Sequence, residues 1–494
     1  MVLIINGHKF HYEMENLCRI YFPNEHIKIL YDMEITSNEN IVVYTSVETT
    51  SDNETVVFVN VKINNITDDK SEILLNVENV DLELKMAVML FDLLSKLTDY
   101  RPQWGVLTGV RPSKLMTKLI SEMGEEKAKS YFKNSLLVTP KKTELAIRVS
   151  KKEHEIICQS KPDSFSLYVS IPFCPTRCSY CSFVSHSITS PAAKKLLPEY
   201  LDLLGNEIEN TAVIARNIGL KLESIYIGGG TPSILNPEQI ERLLCQICNN
   251  FDISNIKEFT FEAGRPDTID RAKLDIIKKF PVSRISINPQ TFNDEVLQEI
   301  GRKHTSKQTL EVFKLANDIG FKDINMDIIA GLPKDDLLSF ESTLNTLLEL
   351  SPSNITVHTL AIKRSSGLSS TDELSSKGNL TSDMVNLAGE MLSKSGYVPY
   401  YMYRQSKSVG NLENVGWCKK GFEGYYNIFM MEECHTVLAV GAGAVTKLKS
   451  PCNDYIERIF NFKYPYEYNN RFETIVKRKQ EVYNFYELNK LGGL

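Results

Sequence analysis

The 494-residue sequence predicts an α/β protein centred on a parallel sheet, closed or partly closed as a barrel, with a separate α/β unit before it and an extension after it. Three observations predict this. Six short apolar runs alternate with helical patterns between Leu167 and Leu360, and strands separated by helices pair in parallel. The chain is longer than one hydrophobic core usually fills, so about three folding units are expected. A polar stretch, Gln159-Ser160-Lys161-Pro162-Asp163-Ser164, separates the alternating region from what precedes it.

Residues 1–160 form the first expected unit, an α/β domain to which the sequence assigns no role. Its strand candidates are Ile27–Tyr31, Ile41–Ser46, Thr55–Ile63 and Glu72–Val77, rich in Val, Ile, Tyr or Thr and bounded by Asn, Asp or Ser. A helical pattern follows over Asp81–Leu97. Another starts at Thr139-Pro140, where Thr139 can cap and Pro140 suits the first helical position. Between them, Trp104-Gly105-Val106-Leu107-Thr108-Gly109 lacks the Lys that a phosphate loop carries after its second Gly, and reads as a turn.

Residues 161–365 form the expected barrel. The strands are Leu167–Ile171, Ser224–Ile227, Glu258–Phe261, Arg284–Asn288, Asn325–Ile329 and Ile355–Leu360. The helices are Pro198–Ala215, Pro237–Asn249, Asp294–Ile300, Lys307–Ile319 and Asp336–Leu350. Residues 366–494 break the alternation. They read as helical and Tyr-rich, with a glycine-rich strand-like piece at Val437–Val445 whose lone G-x-G lacks the other parts of a dinucleotide site.

Composition bounds the function. Hydrophobic residues at 42% and charged residues at 24% are ordinary for a globular chain and exclude a disordered or collagenous one. With 56 Lys and Arg against 62 Asp and Glu, the net charge of -6 argues against a nucleic-acid partner, though not against a local basic pocket. No apolar run is long enough to insert in a membrane, and the first residues lack a basic lead and a long apolar core. A cytoplasmic protein is expected. In that reducing compartment its ten cysteines are expected as thiols or ligands rather than disulfides.

Three of the ten lie together. The first barrel strand runs into Pro172-Phe173-Cys174-Pro175-Thr176-Arg177-Cys178-Ser179-Tyr180-Cys181, a C-x3-C-x2-C loop. Structural zinc takes four ligands, usually as two pairs, and only His186 lies near enough in sequence to complete such a site. An iron–sulfur cube is held by thiolates at its corners, and three ligands would leave one iron open to an external molecule. Cys245 and Cys248 sit at i,i+3 in a helical pattern with no second pair, and read as core residues. Cys18, Cys158, Cys418, Cys434 and Cys452 are scattered and read as small buried hydrophobes.

Other polar residues cluster at expected strand ends, where β/α barrels carry their chemistry. Glu262 ends the third strand, Gln290 follows the fourth and Asp327 lies on the fifth. Each alone can equally be a structural polar group. Tyr400-Tyr401-Met402-Tyr403-Arg404-Gln405 can be a core strand, or a wall on which a flat ring stacks with Arg404 pairing a carboxylate. His358 and His435 can be haem ligands, although a core or surface role fits them better.

The cysteine loop resembles that of the radical S-adenosylmethionine (SAM) superfamily. Tyr168-Val169-Ser170-Ile171-Pro172-Phe173-Cys174 through Tyr180-Cys181 resembles its oxygen-independent coproporphyrinogen III oxidase group. The long first unit and the run Phe261-Glu262-Ala263-Gly264-Arg265-Pro266-Asp267 are similar to the HemZ branch of that group. The resemblance implies a partial (β/α)6 barrel and a [4Fe-4S] cluster on Cys174, Cys178 and Cys181, with the fourth iron open to SAM. It implies SAM contacts from Tyr168, Gly229, Gly230, Thr231, Glu262, Gln290, Arg302, Asp327 and, more weakly, Ala361. Gln290 and Arg302 keep the family's twelve-residue offset.

The activity so implied is oxidative decarboxylation of coproporphyrinogen III to protoporphyrinogen IX. A 5′-deoxyadenosyl radical removes a hydrogen from a propionate, and loss of CO2 and an electron leaves a vinyl group. A tetrapyrrole substrate and an electron donor such as flavodoxin or ferredoxin would be the partners. One departure stands out. Enzymes of this group carry a fourth Cys two residues after the third, where this chain has Phe183. The related haem-chaperone branch also has Phe there, which keeps a haem-binding or haem-delivery role open, as well as a radical SAM reaction on another substrate.

Overall fold

The computed structural model describes residues 1–33, 39–49, 54–75, 79–183, 185–362, 378–405 and 407–491. The chain divides into two compact units. One gathers Met1–Ser150, Ser369–Asp383 and Tyr403–Glu413, and the other Lys151–Leu368, Met384–Met402 and Asn414–Leu494. The expected boundary at residues 365 and 366 lies outside the described residues.

The first unit holds a five-stranded sheet of β1 (Val2–Asn6), β2 (Lys28–Tyr31), β3 (Ile41–Thr49), β4 (Glu54–Ile63) and β5 (Ile66–Leu75), in the order β2-β1-β3-β4-β5. Sequence patterning misses β1. Its Val2-Leu3-Ile4-Ile5 run is buried throughout and pairs in parallel with β2 and β3, so it carries no alternation to read. The strand expected at Glu72–Val77 begins earlier, at Ile66, and its Val77 end lies outside the described residues. Asn64 at φ 55° and Asn65 close a two-residue hairpin that pairs Ile63 with Ile66, a turn that needs left-handed backbone. Helices Asn79–Thr98 and Pro140–Ile157 match the patterns read there. The turn at Trp104–Gly109 receives Arg404, whose guanidinium donates to Leu107 O at 2.7 Å and to Gly109 O at 3.0 Å.

In the second unit an eleven-stranded sheet carries the six expected strands side by side. They are β6 (Ser164–Ile171), β9 (Lys221–Gly229), β10 (Glu258–Gly264), β11 (Arg284–Ile287), β12 (Asp323–Ala330) and β13 (Asn354–Thr359), all paired in parallel. Two short strands, β7 (Phe173–Cys174) and β8 (His186–Ser187), pair with each other. Beyond β13 come β15 (Glu413–Cys418), antiparallel to it, and β14 (Val398–Arg404). Beyond β6 come β16 (Thr436–Val440), β17 (Val445–Lys449) and β18 (Ile456–Phe460). Strand β16 lies parallel to β6, with Leu438 opposite Leu167. The order runs from β14 to β18, that of an open, partial barrel.

Helix starts follow capping chemistry. Asn236 and Gln239 form a capping box for helix Pro237–Asn250, and Thr305 and Gln308 do so for Ser306–Ile319. Asp336 accepts from Ser339 N to open Leu337–Leu350. The helix expected from Pro198 instead begins at Pro191 and encloses Pro198. Pro191 fills the first-turn position there, while Ala193, Leu197, Tyr200, Leu201 and Leu204 are buried along the helix. Helix Arg271–Lys278, capped by Asp270, is too short for its period to stand out in the sequence. Among the described residues no helix is long and apolar enough to cross a membrane.

Candidate cluster and cofactor site

Strand β6 delivers the cysteine loop. Beyond Ile171 the chain turns through Pro172 into β7, where Cys174 O accepts from Ile188 N at 2.8 Å and Pro172 O from His186 N at 2.9 Å. Ser179 N donates to Ile300 O at 3.1 Å, and Cys181 N to Cys178 O at 3.2 Å. Cys178 is buried, Cys174 and Cys181 are half-buried, and all three are free thiols. Burial first, and then the neighbouring Cys178 and Cys174, push the Cys181 thiol up to about 11. Among the described residues no three Cys, His, Asp or Glu side chains converge on one point to hold a single metal ion. A cluster would be held with Cys174, Cys178 and Cys181 each on a different iron, which requires no shared point.

The glycines after β9 lie against this loop. Gly230 N donates to Ile171 O and Thr231 N to Phe173 O, each at 2.8 Å. The Thr231 hydroxyl stands 3.4 Å from Cys174 Sγ. A side chain at Gly230 would meet Phe173 O at 2.5 Å, so glycine is required by the closeness of the loop backbone.

Around the strand ends the expected polar residues are brought together. Glu262 accepts from the Tyr226 hydroxyl. Withheld solvent raises its carboxyl to about 7, with the Asp327 charge adding to the rise and the Tyr226 hydrogen bond opposing it. Asp327 accepts from Asn325 Nδ2 at 2.8 Å and faces His358 Nε2 at 3.7 Å. Burial would lower His358, but its hydrogen bonding and charge pairing with Asp327 outweigh this and hold it above its ordinary value. Burial would likewise raise Asp327, and His358 keeps it low. Tyr168 stacks with Tyr226 and Tyr426, with ring centroids 6.3 and 6.2 Å away, and the latter two rings lie 4.5 Å apart.

Gln290 is held at φ 69°, a left-handed backbone that non-glycine residues rarely adopt. Its N–H donates to Asp327 O at 2.9 Å, and its carbonyl accepts from Ile329 N at 3.0 Å. Its side-chain oxygen is buried without a protein partner, as is Asn288 Oδ1. A strained backbone and a buried amide oxygen without a protein partner leave Gln290 able to bond a ligand. Arg302 donates to the Tyr180 hydroxyl at 2.7 Å and to Asn288 O at 3.3 Å, tying this edge to the cysteine loop. Ala361 is half-buried just past the end of β13. The unpaired thiols, the orphaned oxygens of Gln290 and Asn288, and the close glycine turn fit a cluster with an amino-acid-bearing cofactor beside it.

Sequence reasoning did not single out Tyr226, Tyr426 or the contact of Arg265 with the loop. Arg265 stood in the branch-like run and was the one with a signal. Tyr426 comes from helix Tyr425–Glu432, and no local pattern marks it. Some expectations need correcting. Cys158 and Cys452 are exposed rather than buried, and Cys245, Cys248 and Cys434 are half-buried. Cys158 follows the end of helix Pro140–Ile157 and Cys452 lies in the loop after β17, whereas Cys245 and Cys248 sit within helix Pro237–Asn250. Arg404 is buried and bonded to backbone carbonyls, not available to a substrate carboxylate. His435 is buried between the Ser160 and Ser166 hydroxyls, at 2.9 and 2.7 Å, a core role rather than a haem ligand.

The Radical SAM superfamily profile matches residues 168–347. The chain is 37% identical over 394 residues, 78% of each protein, to the oxygen-independent coproporphyrinogen-III oxidase-like protein HemZ of Bacillus subtilis. It is 31% identical over 336 residues to the heme chaperone HemW of the same organism, covering 67% of this chain and 84% of HemW. Among solved structures, the coproporphyrinogen III oxidase HemN of Escherichia coli superposes with a TM-score of 0.50 at 24% identity, over 66% of this chain and 73% of HemN. The chain belongs to the radical SAM superfamily, whose members use a [4Fe-4S] cluster and SAM. Within it, the chain falls in the HemZ-like part of the oxygen-independent coproporphyrinogen III oxidase group.

Proposed function

We propose that this chain oxidatively decarboxylates coproporphyrinogen III to protoporphyrinogen IX without oxygen, in porphyrin synthesis. The observation that carries the reading is the free C-x3-C-x2-C loop, tied through Arg302 to the strand end that carries the strained Gln290 with its orphaned side-chain oxygen, in a chain 37% identical to a HemZ protein. Cys174, Cys178 and Cys181 would hold the cluster. Arg302, Gln290 and Asp327 would orient SAM through its charged and hydroxyl groups, with Glu262 and the Gly229-Gly230-Thr231 turn against its amino-acid end. Tyr168, stacked with Tyr226 and Tyr426, would close one side of the pocket. When bound, cluster and SAM supply a carbon-centred radical able to remove hydrogen from an unreactive C–H bond. Glu262, with its carboxyl near 7, can hold a proton at neutral pH and donate to an anionic neighbour. An electron donor of the flavodoxin or ferredoxin class would act from outside.

A second reading, haem binding or delivery, is favoured by the HemW match and by Phe183, which is 65% exposed where the group's fourth Cys stands. One experiment separates the two. The reconstituted chain is incubated anaerobically with SAM, reductant and coproporphyrinogen III, and oxidised products are read by fluorescence. Protoporphyrin supports the first reading. Deoxyadenosine without a vinyl product refutes it, and stoichiometric haem binding then supports the second.

A further inference from the structure

We infer that Arg265 tunes the electron affinity of the cluster, acting as a cation fixed against the sulfur of Cys178. This rests on the reading that Cys178 is a cluster ligand. Arg265 Nη1 lies 3.6 Å from Cys178 Sγ, and the same nitrogen donates to Thr176 Oγ1 at 3.0 Å. The opposite edge of the guanidinium is gripped by Asp267, with Nε and Nη2 each 3.1 Å from a carboxylate oxygen. The side chain is buried, and its backbone is pinned between Gly264, at φ 54°, and Pro266. A planar fork held at one edge has little freedom at the other, so Nη1 stays aimed at the sulfur.

Reduction adds one negative charge to a cluster. A buried cation, and a hydrogen bond to a ligating sulfur, both favour the reduced state and raise the potential. Asp267 is the counterweight, since its carboxylate lies on the far side of the same guanidinium and offsets part of the charge. The Arg–Asp pair therefore makes opposite predictions for its two members, which a mere brace for the loop would not.

The test uses the full chain, reconstituted anaerobically, with iron and sulfide content measured and the midpoint potential read by redox titration of the reduced-cluster EPR signal. Arg265→Gln should keep its iron and lower the potential, cutting the reduced-to-oxidised ratio at fixed poise by about tenfold, about 59 mV for one electron. Asp267→Asn should shift the potential upward. A fully loaded Arg265→Gln chain at the wild-type potential overturns the inference. If Arg265→Gln fails to load, Asp267→Asn decides: a raised potential upholds the inference and an unchanged one overturns it. Loss of loading in both variants also overturns it, the pair then serving only to hold the loop. Cys178→Ser is the separate control. A full cluster in that variant refutes the ligand reading itself, whatever Arg265→Gln shows.

Discussion

Replacing Gly230 by alanine tests whether the turn after β9 sets the position of the cysteine loop. The added Cβ would stand 2.5 Å from Phe173 O, 2.7 Å from Ile171 O and 2.8 Å from Phe173 N. The first of these is about 0.9 Å short of the 3.4 Å at which ordinary contact begins. All three are backbone atoms, so no rotamer change relieves the clash. The strand leading to Cys174 must move. Overpacking of this kind costs about 1–3 kcal/mol. The shift also threatens the Gly230–Ile171 and Thr231–Phe173 hydrogen bonds, each worth about 1 kcal/mol net. The sum is about 3–5 kcal/mol, a large part of the stability of a typical domain. Denaturant titration of the cluster-free protein measures it, with Gly109→Ala as control, because Gly109, like Gly230, lacks a positive φ but has nothing within 4 Å. Iron content after anaerobic reconstitution should fall in Gly230→Ala alone. A Gly230→Ala chain with wild-type stability and full iron would show that the turn does not govern the loop.

Three further outcomes are expected. Glu207 is fully buried and accepts from Lys479, Asn461, Gly441 N and Tyr468, at 3.1, 2.7, 2.8 and 2.6 Å. Glu207→Gln should therefore cost about 3–5 kcal/mol in urea unfolding, by leaving Lys479 buried without its counter-charge. Burial, aided by the charge of Lys257, lowers His435 to about 3 from 6.5. Its share of stability is then complete above pH 6.5 and falls as the unfolded imidazole takes up a proton, by about 2 kcal/mol between pH 7 and pH 5; His435→Gln should flatten that slope. Gln290→Gly should match or exceed wild-type stability by releasing about 1–3 kcal/mol of backbone strain, while calorimetry of the loaded protein shows weaker SAM binding. Unchanged SAM affinity would count against a ligand role for this amide.

The barrel strands were legible because each carries closely spaced buried apolar residues, as Phe259 and Phe261 or Ile285 and Ile287. Their helices were legible because apolar residues recur at helical spacing, as Ile240, Leu243, Leu244 and Ile247 do. The three ligand candidates were legible because they are close in sequence. What stayed hidden depends on distant partners. The pattern of β16 gives a strand at Val437 but says nothing of its place beside β6. Tyr426 reaches the Tyr168–Tyr226 stack from a helix more than 190 residues downstream of Tyr226. Pro198 suggested a helix start because proline favours first turns, and only the packed face from Ala193 onward shows otherwise.

The seat of β16 beside β6 has a consequence for how the protein is made. Leu167 and Leu438 are neighbours in the sheet although 271 residues apart. The glycine-rich link after β16 also fastens the strand that feeds the cysteines, for Ser170 Oγ donates to Ala442 O at 2.8 Å, and Tyr200, which donates to Ser170 O, accepts from Ala442 N at 2.9 Å. A ribosome adding about 5–20 residues per second needs roughly 14–54 s to deliver that neighbour. During this interval one edge of β6 is bare and the thiols rest on an unfinished support. A chain cut short before Thr436 would therefore carry its cysteines on a strand with one edge unpaired, and should take up less iron on anaerobic reconstitution than the full chain.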